Sequence, residues 1–127
     1  MTSVSAIALS GMTAATVQVN ASASNLANAN DTSKVGSKPA YNRVTVSQTA
    51  LPDGGVTAVA QTLAPAQLLA YDPTSSFANG AGLVQMPEID PVAEITNQLA
   101  AGHAFAFSLE ALKVADDEQK SLLDIKT

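Results

Sequence analysis

Apolar residues at Val4, Ala8, Met12, Ala15, Val19, Ala23 and Leu26 recur at three- and four-residue steps, the spacing that keeps side chains on one face of a helix. Ile7, Ala14 and Ala21 widen the stripe, so a helix is expected from Ser3 to Leu26. Gly11 weakens its intrinsic preference by about 1 kcal/mol relative to alanine, and several β-branched residues weaken it further. The segment therefore needs a partner helix to stay folded. A polar, turn-forming run from Asp31 to Pro39 ends the pattern.

The period then changes from helical to alternating. Val44 and Val46 fall on one side and Arg43, Thr45 and Ser47 on the other, which predicts a short strand over residues 41–48. Residues 56–63 read similarly, and Pro52-Asp53-Gly54-Gly55 between them supplies turn chemistry, because proline fixes its φ and glycine admits positive φ. A β-hairpin is expected. Residues 72–87 contain Asp72-Pro73, Asn79-Gly80 and Met86-Pro87, breakers that predict an extended coil leading back to a final helix.

That helix has a marked start. Asp90 is placed to cap free amides, Pro91 occupies the first helical position, and Glu94 puts a negative charge near the positive end of the dipole. Ile95, Leu99, Ala106, Leu109, Leu112 and Leu122 or Leu123 form its apolar stripe. A helix of about thirty residues spans on the order of 45 Å.

The expected fold is mainly α with a small β part. Long N- and C-terminal helices pair as an antiparallel coiled-coil-like hairpin, with a short β-hairpin and loops inserted between them. One structural unit results, made of an N-terminal axial helix (1–30), a loop and β-hairpin insertion (31–89) and a C-terminal axial helix (90–127). The 127-residue length agrees, being too short for two comfortable cores. Alanine supplies much of the 46% apolar content while aromatics reach only 4%, so helices packed closely through small residues suit this chain better than a bulky core.

Composition also removes function classes. The net charge of -5 comes without any block of Lys or Arg able to neutralise a run of phosphates, which argues against nucleic acid. Zero cysteines exclude disulfides, thiolate catalysis and Cys-based zinc sites. Residues 1–30 carry no Lys or Arg, so no cleaved secretory signal is expected. Apolar runs fall short of the roughly 18 residues of a membrane span.

No residue cluster points to chemistry. His103 is the sole histidine and has no carboxylate at ligand-like spacing, Glu110 being seven positions on. Consecutive Asp116, Asp117 and Glu118 point in different directions on a helix, although Asp116 and Asp117 each stand at contact spacing from Lys120. The glycines of Asp53-Gly54-Gly55 and Asn79-Gly80-Ala81-Gly82 lack the ending of a phosphate loop. No serine sits in a nucleophile motif. No enzyme, cofactor, metal or small-molecule substrate is expected. Phe105 and Phe107 fall on different helix faces, which sends one toward the helical seam and the other toward a neighbour.

Ser24-Asn25-Leu26-Ala27-Asn28-Ala29-Asn30 resembles the SNIANANT-type motif of bacterial flagellar rod and hook proteins, and Ala8-Leu9-Ser10-Gly11-Met12 is similar to that family's small-residue opening. Lys38 to Val44 resembles the segment that follows the motif. Tyr71-Asp72-Pro73 and the run from Gly82 through Gln85-Met86-Pro87 to Val92 resemble the proximal rod proteins of the family in particular. The match continues at Leu109-Glu110-Ala111-Leu112-Lys113, Ala115-Asp116 and Leu122-Leu123-Asp124-Ile125. It touches about two thirds of the chain, and the order of the motifs is more specific than any one of them. The last helix departs from the family, which carries Ala-Ser-Arg-Ser-Tyr-Gln-Ala-Asn where this chain has Ala101-Gly102-His103-Ala104-Phe105-Ala106-Phe107-Ser108.

The resemblance implies a structural subunit of the basal-body rod. Such subunits are exported through the flagellar type III apparatus, without a cleaved signal peptide, into the periplasmic drive shaft that transmits torque to hook and filament. The implied partners are other rod proteins, further copies of this chain and the export apparatus. Subunit-interface candidates are Val4, Met12, Val19, Asn25, Leu26, Asn28, Ile95, Leu99, Leu109 and Leu123. The altered run at 101–108 keeps a second reading in view, a soluble adaptor or regulatory binding module related to rod proteins.

Overall fold

Six elements follow one another in the computed structural model, which describes residues 4–64 and 66–125. They are α1 (Val4–Ala27), β1 (Val44–Ala50), β2 (Val56–Thr62), β3 (Gln67–Tyr71), β4 (Leu83–Pro87) and α2 (Pro91–Ile125). The chain is mainly helical with a small amount of sheet. Ser3, the expected first residue of α1, lies outside the described residues, as do the outer limits of the 1–30 and 90–127 segments.

The expected ends of the helices are present. At the end of α1, Asn28 Nδ2 donates to the carbonyl of Ser24 at 2.7 Å, satisfying one of the carbonyls that a helix terminus leaves free. At the start of α2, Asp90 Oδ1 accepts from the Val92 amide at 2.9 Å, the capping contact the sequence predicts. Residue pairs that meet run in opposite order along the two helices: a β-carbon placed on Gly11 would lie 2.5 Å from Ser108 Oγ, and Asn25 reaches Glu94.

The first hairpin also matches expectation. β1 and β2 pair antiparallel from Val44↔Thr62 to Ala50↔Val56. In the turn, Gly54 and Gly55 adopt φ of 90° and 93°, a region that side-chain-bearing residues avoid. Both lie against α1, beside Ile7 and Ser10. The Val56 amide donates to Ser10 Oγ at 3.1 Å, so the hairpin is bonded to the helix on which it rests.

A second hairpin replaces the coil expected over 72–87. β3 and β4 pair antiparallel from Gln67↔Pro87 to Tyr71↔Leu83. Two features hide β4 from a search for alternation. Its neighbours Val84 and Gln85 are both buried, which erases the period of two, and its proline stands at the strand end, where a missing N–H is tolerated. The 72–82 connection is loop, as Asp72-Pro73 and Asn79-Gly80 predict, and is closed by the Asp72 amide donating to Gly82 O at 2.9 Å. Among the described residues neither helix packs on β3–β4; this hairpin is held to the loop after α1 instead, by Gln67 Nε2 donating to Tyr41 O at 3.3 Å and chiefly by Gln85. Its Nε2 donates to Ser33 Oγ and Ser37 O, each at 3.0 Å, and its Oε1 accepts from the Gly36 amide at 3.1 Å.

The core differs from the predicted stripes. Buried residues on α1 are Ala8, Ala14, Ala15, Ala21, Ser22 and Asn25, and on α2 they are Glu94, Ala101 and Ala115. Small and polar side chains occupy the inside. Val4, Ile95, Leu99, Leu122 and Leu123, all assigned to apolar stripes by spacing, are exposed.

Candidate assembly surface and the polar junction beside it

Charge is distributed along the helix pair in blocks. α1 contains no Asp, Glu, Lys or Arg, and between the buried Glu94 and Glu110 the helix α2 contains none either. A solvated helix ordinarily carries charge on its outer face. Here the outer face is apolar: Ile95 is 47%, Leu99 62% and Phe107 74% exposed, with Val92, Val114 and Leu9 also exposed. A helix that is apolar on several sides is normally buried on several sides.

Charged residues collect beyond this waist. On the last turns of α2, Lys120 Nζ donates to Asp116 Oδ2 at 2.6 Å and lies 3.8 Å from Asp117 Oδ1, the pairs that the spacing predicts. All three side chains are solvated, so these pairs add little to stability. Since Gly11 faces Ser108, α2 runs past Val4 by about ten residues, roughly 15 Å.

The interface candidates separate into three groups. Val4, Ile95, Leu99 and Leu123 are exposed, while Met12, Val19, Leu26, Asn28 and Leu109 are half-buried. Asn25 stands apart at 1% exposure, and all its polar atoms are taken within its own chain. Its Nδ2 donates to Val44 O at 2.8 Å and to Glu94 Oε1 at 3.1 Å; its Oδ1 accepts from the Val44 amide at 2.8 Å and from Tyr41 Oη at 3.0 Å. Tyr41 Oη also lies 3.0 Å from Ser24 Oγ.

Glu94 completes this junction. It is 2% exposed, and Arg43 Nε stands 3.4 Å from its Oε1, close enough for an ion pair but without the alignment of a hydrogen bond. The sequence marks Glu94 only as a favourable charge in the first turn of α2. Its burial follows from the Asn25 amide and the Arg43 guanidinium, which together offset the cost of removing a carboxylate from water. Lone arginine and tyrosine positions after the Asn-rich motif were the available signal, but nothing in their spacing links them to residue 94.

A groove of about 370 Å³ between the helices and the first hairpin is lined by alanines with Gln18, Gln48, Asn97 and Ser108. Its wall contains no titratable group, so it offers no acid or base for proton transfer. Among the described residues no cluster of His, Cys, Asp and Glu is arranged to hold a metal. His103 is exposed and stacks on Phe107 with ring centroids 6.5 Å apart. Phe105 and Phe107 are both exposed, at 36% and 74%, and Phe107 borders a groove with Val4, Ile7 and Ala8 of α1. No described helix is long and apolar enough to cross a membrane.

Comparison with known proteins identifies relatives of the chain. No family model matches the chain. The flagellar basal-body rod protein FlgC of Escherichia coli O6:H1 is 32% identical over 112 residues, covering 84% of this chain and 83% of that protein. The chain belongs to the FlgC family of flagellar basal-body rod proteins. FlgC of Salmonella typhimurium is 31% identical over the same coverage, and FlgC of Buchnera aphidicola is 27% identical over 117 residues, 86% of this chain and 85% of the relative. The FlgC relationship thus extends well beyond the Asn-rich motif, across both helices and the inserted hairpins.

Proposed function

We propose that this chain is a structural subunit of the bacterial flagellar basal-body rod, in its proximal part, and that it works by being packed among other rod subunits rather than by chemistry. The observation that carries this reading is the charge-free middle of the helix pair, α1 and residues 95–109 of α2, whose large apolar side chains are exposed. A monomer has no use for exposed Ile95, Leu99 and Phe107, whereas a subunit surrounded by like subunits buries them. Each such side chain contributes about 1.5–3 kcal/mol when fully covered, and head-to-tail contacts that do not close on themselves extend into a helical filament.

On this reading α1 and α2 form an antiparallel coiled-coil-like pair. The buried positions 8, 15, 22 and 25 of α1, with half-buried 11 and 18 between them and buried 14 and 21 beside them, support such a seam through their three- and four-residue steps. Residues 1–30 and 90–127 act as axial helices and 31–89 as the inserted part. Val4, Met12, Val19, Leu26, Ile95, Leu99, Leu109 and Leu123 supply the intersubunit surface, with Asn28 at its edge. The chain reaches the rod through the flagellar export apparatus and transmits torque as part of the shaft.

Deleting the gene in its own host and imaging basal bodies by electron microscopy tests the proposal. Basal bodies without rod and hook, restored by the intact gene and carrying a tagged copy in the rod, are expected. Complete basal bodies and normal swimming would overturn it.

A further inference from the structure

Asn25 lies where three parts of the chain meet, and it uses the full capacity of its amide, two donated and two accepted bonds. By taking both the N–H and the C=O of Val44, it acts as a one-residue strand partner at the position where β1 begins. One of its two donors is committed to Glu94, which α2 brings in from its first turn. The same carboxylate stands against Arg43, next to Val44 in sequence. Helix pairing and hairpin docking therefore share one buried group of side chains.

The rest of the helix seam gives little positional information. Ala8, Gly11, Ala15, Ala101 and Ala115 present short, similar surfaces, and a seam of small side chains lacks the large knobs that fix one register against its neighbours. A single buried polar contact supplies that selection, because slippage leaves its donors and acceptors unpaired in a dry site.

We infer that Asn25 and Glu94 form an internal latch that sets the axial register of α1 against α2 and makes docking of the β1–β2 hairpin conditional on that register. The β3–β4 hairpin is fastened elsewhere, since Gln85 and the Ser33–Gln85 backbone bridge hold it to residues 33–37 and a single 3.3 Å bond from Gln67 Nε2 to Tyr41 O links it to the latch. The Asn-rich motif thereby has a role inside the subunit, distinct from contacts between subunits.

Amide hydrogen exchange on the full-length chain tests the latch. Glu94→Ala is expected to raise exchange at Val44 and along β1–β2 by roughly tenfold or more, the scale of losing a buried hydrogen bond, while β3–β4 keeps its parent protection. Glu94→Gln retains an acceptor for Asn25 and is expected to keep most of the β1–β2 protection. The decisive arm uses the absence of native cysteine. A β-carbon on Gly11 would lie 3.4 Å from that of Ser108, near the separation a disulfide needs, so Gly11→Cys with Ser108→Cys can lock the register from outside the latch. Oxidation of that pair in the Glu94→Ala background is expected to restore β1–β2 protection, and reduction to remove it again. Unchanged protection in Glu94→Ala, an equal loss in both hairpins, or no rescue on oxidation would each overturn the inference. Should Glu94→Ala fail to fold, loss of β1–β2 protection in a folded Glu94→Gln would overturn it in the same way.

Discussion

The seam between α1 and α2 and the outward faces of the same two helices differ in the reverse sense from a self-sufficient protein. Inside are Ala8, Gly11, Ala15, Ser22, Asn25, Glu94 and Ala101; outside are Val4, Leu9, Ile95, Leu99 and Phe107. Burying a methyl group of alanine contributes less than about 1 kcal/mol, against about 1.5–3 kcal/mol for leucine or phenylalanine. The subunit's own fold therefore depends on close approach and hydrogen bonding, and its larger apolar side chains stay exposed on the single chain, the surface that the proposed rod contacts would cover.

Substitutions that invert one side of this contrast at a time separate the two. The largest effect is expected from Leu99→Asp on the outer face, which removes one buried leucine per intersubunit contact and places an unpaired carboxylate there. Incorporation into basal bodies should be abolished while the melting temperature of the isolated chain hardly moves; normal motility in this variant would count against the outward face. On the inner side, Gly11→Leu forces a branched side chain into the 2.5 Å approach to Ser108 and should lower stability by about 1–3 kcal/mol, measured by urea unfolding.

A smaller loss is expected at the second hairpin. Gln85→Ala removes the three side-chain bonds from β4 to residues 33–37, leaves the backbone bridge between Ser33 and Gln85 in place, and should cost about 1–2 kcal/mol, with proteolytic nicking appearing in that loop first. The smallest effect lies at the far end of α2. The Lys120 amine is raised above the ordinary lysine value of 10.5, first by its hydrogen bond to Asp116 and then by the charges of Asp116 and Asp117. A raised amine contributes its stabilisation below the unfolded value and loses it as pH climbs through the folded one. Helicity of the last turns, followed by circular dichroism, should therefore decline only above about pH 10.5, and Lys120→Ala should remove that step while leaving neutral-pH stability nearly unchanged.

The parts of the fold that local chemistry determines were legible in the sequence. Asp90-Pro91 marks the start of α2, Pro52-Asp53-Gly54-Gly55 marks the first turn, and the period of two marks β1. The orientation of the helices was not. Spacing alone identifies Ile95 and Leu99 as one apolar face, but assigning that face to the inside assumes that large apolar residues are buried within the chain, and here alanine and glycine win the inner side because they allow closer approach. β4 escaped because Val84 and Gln85 are both enclosed. Glu94 escaped because its partners, Asn25 and Arg43, are distant in sequence and meet it only after both helices are placed.

The charge-free waist of the helix pair has a consequence for how solution conditions act on the protein. Contacts made through residues without charge have no ionic attraction for salt to screen, while sulfate and similar ions strengthen apolar association by being excluded from the surface. Self-association through this face should tighten as sulfate is added, and the acidic tail of α2, not the waist, should set whatever response remains at low ionic strength.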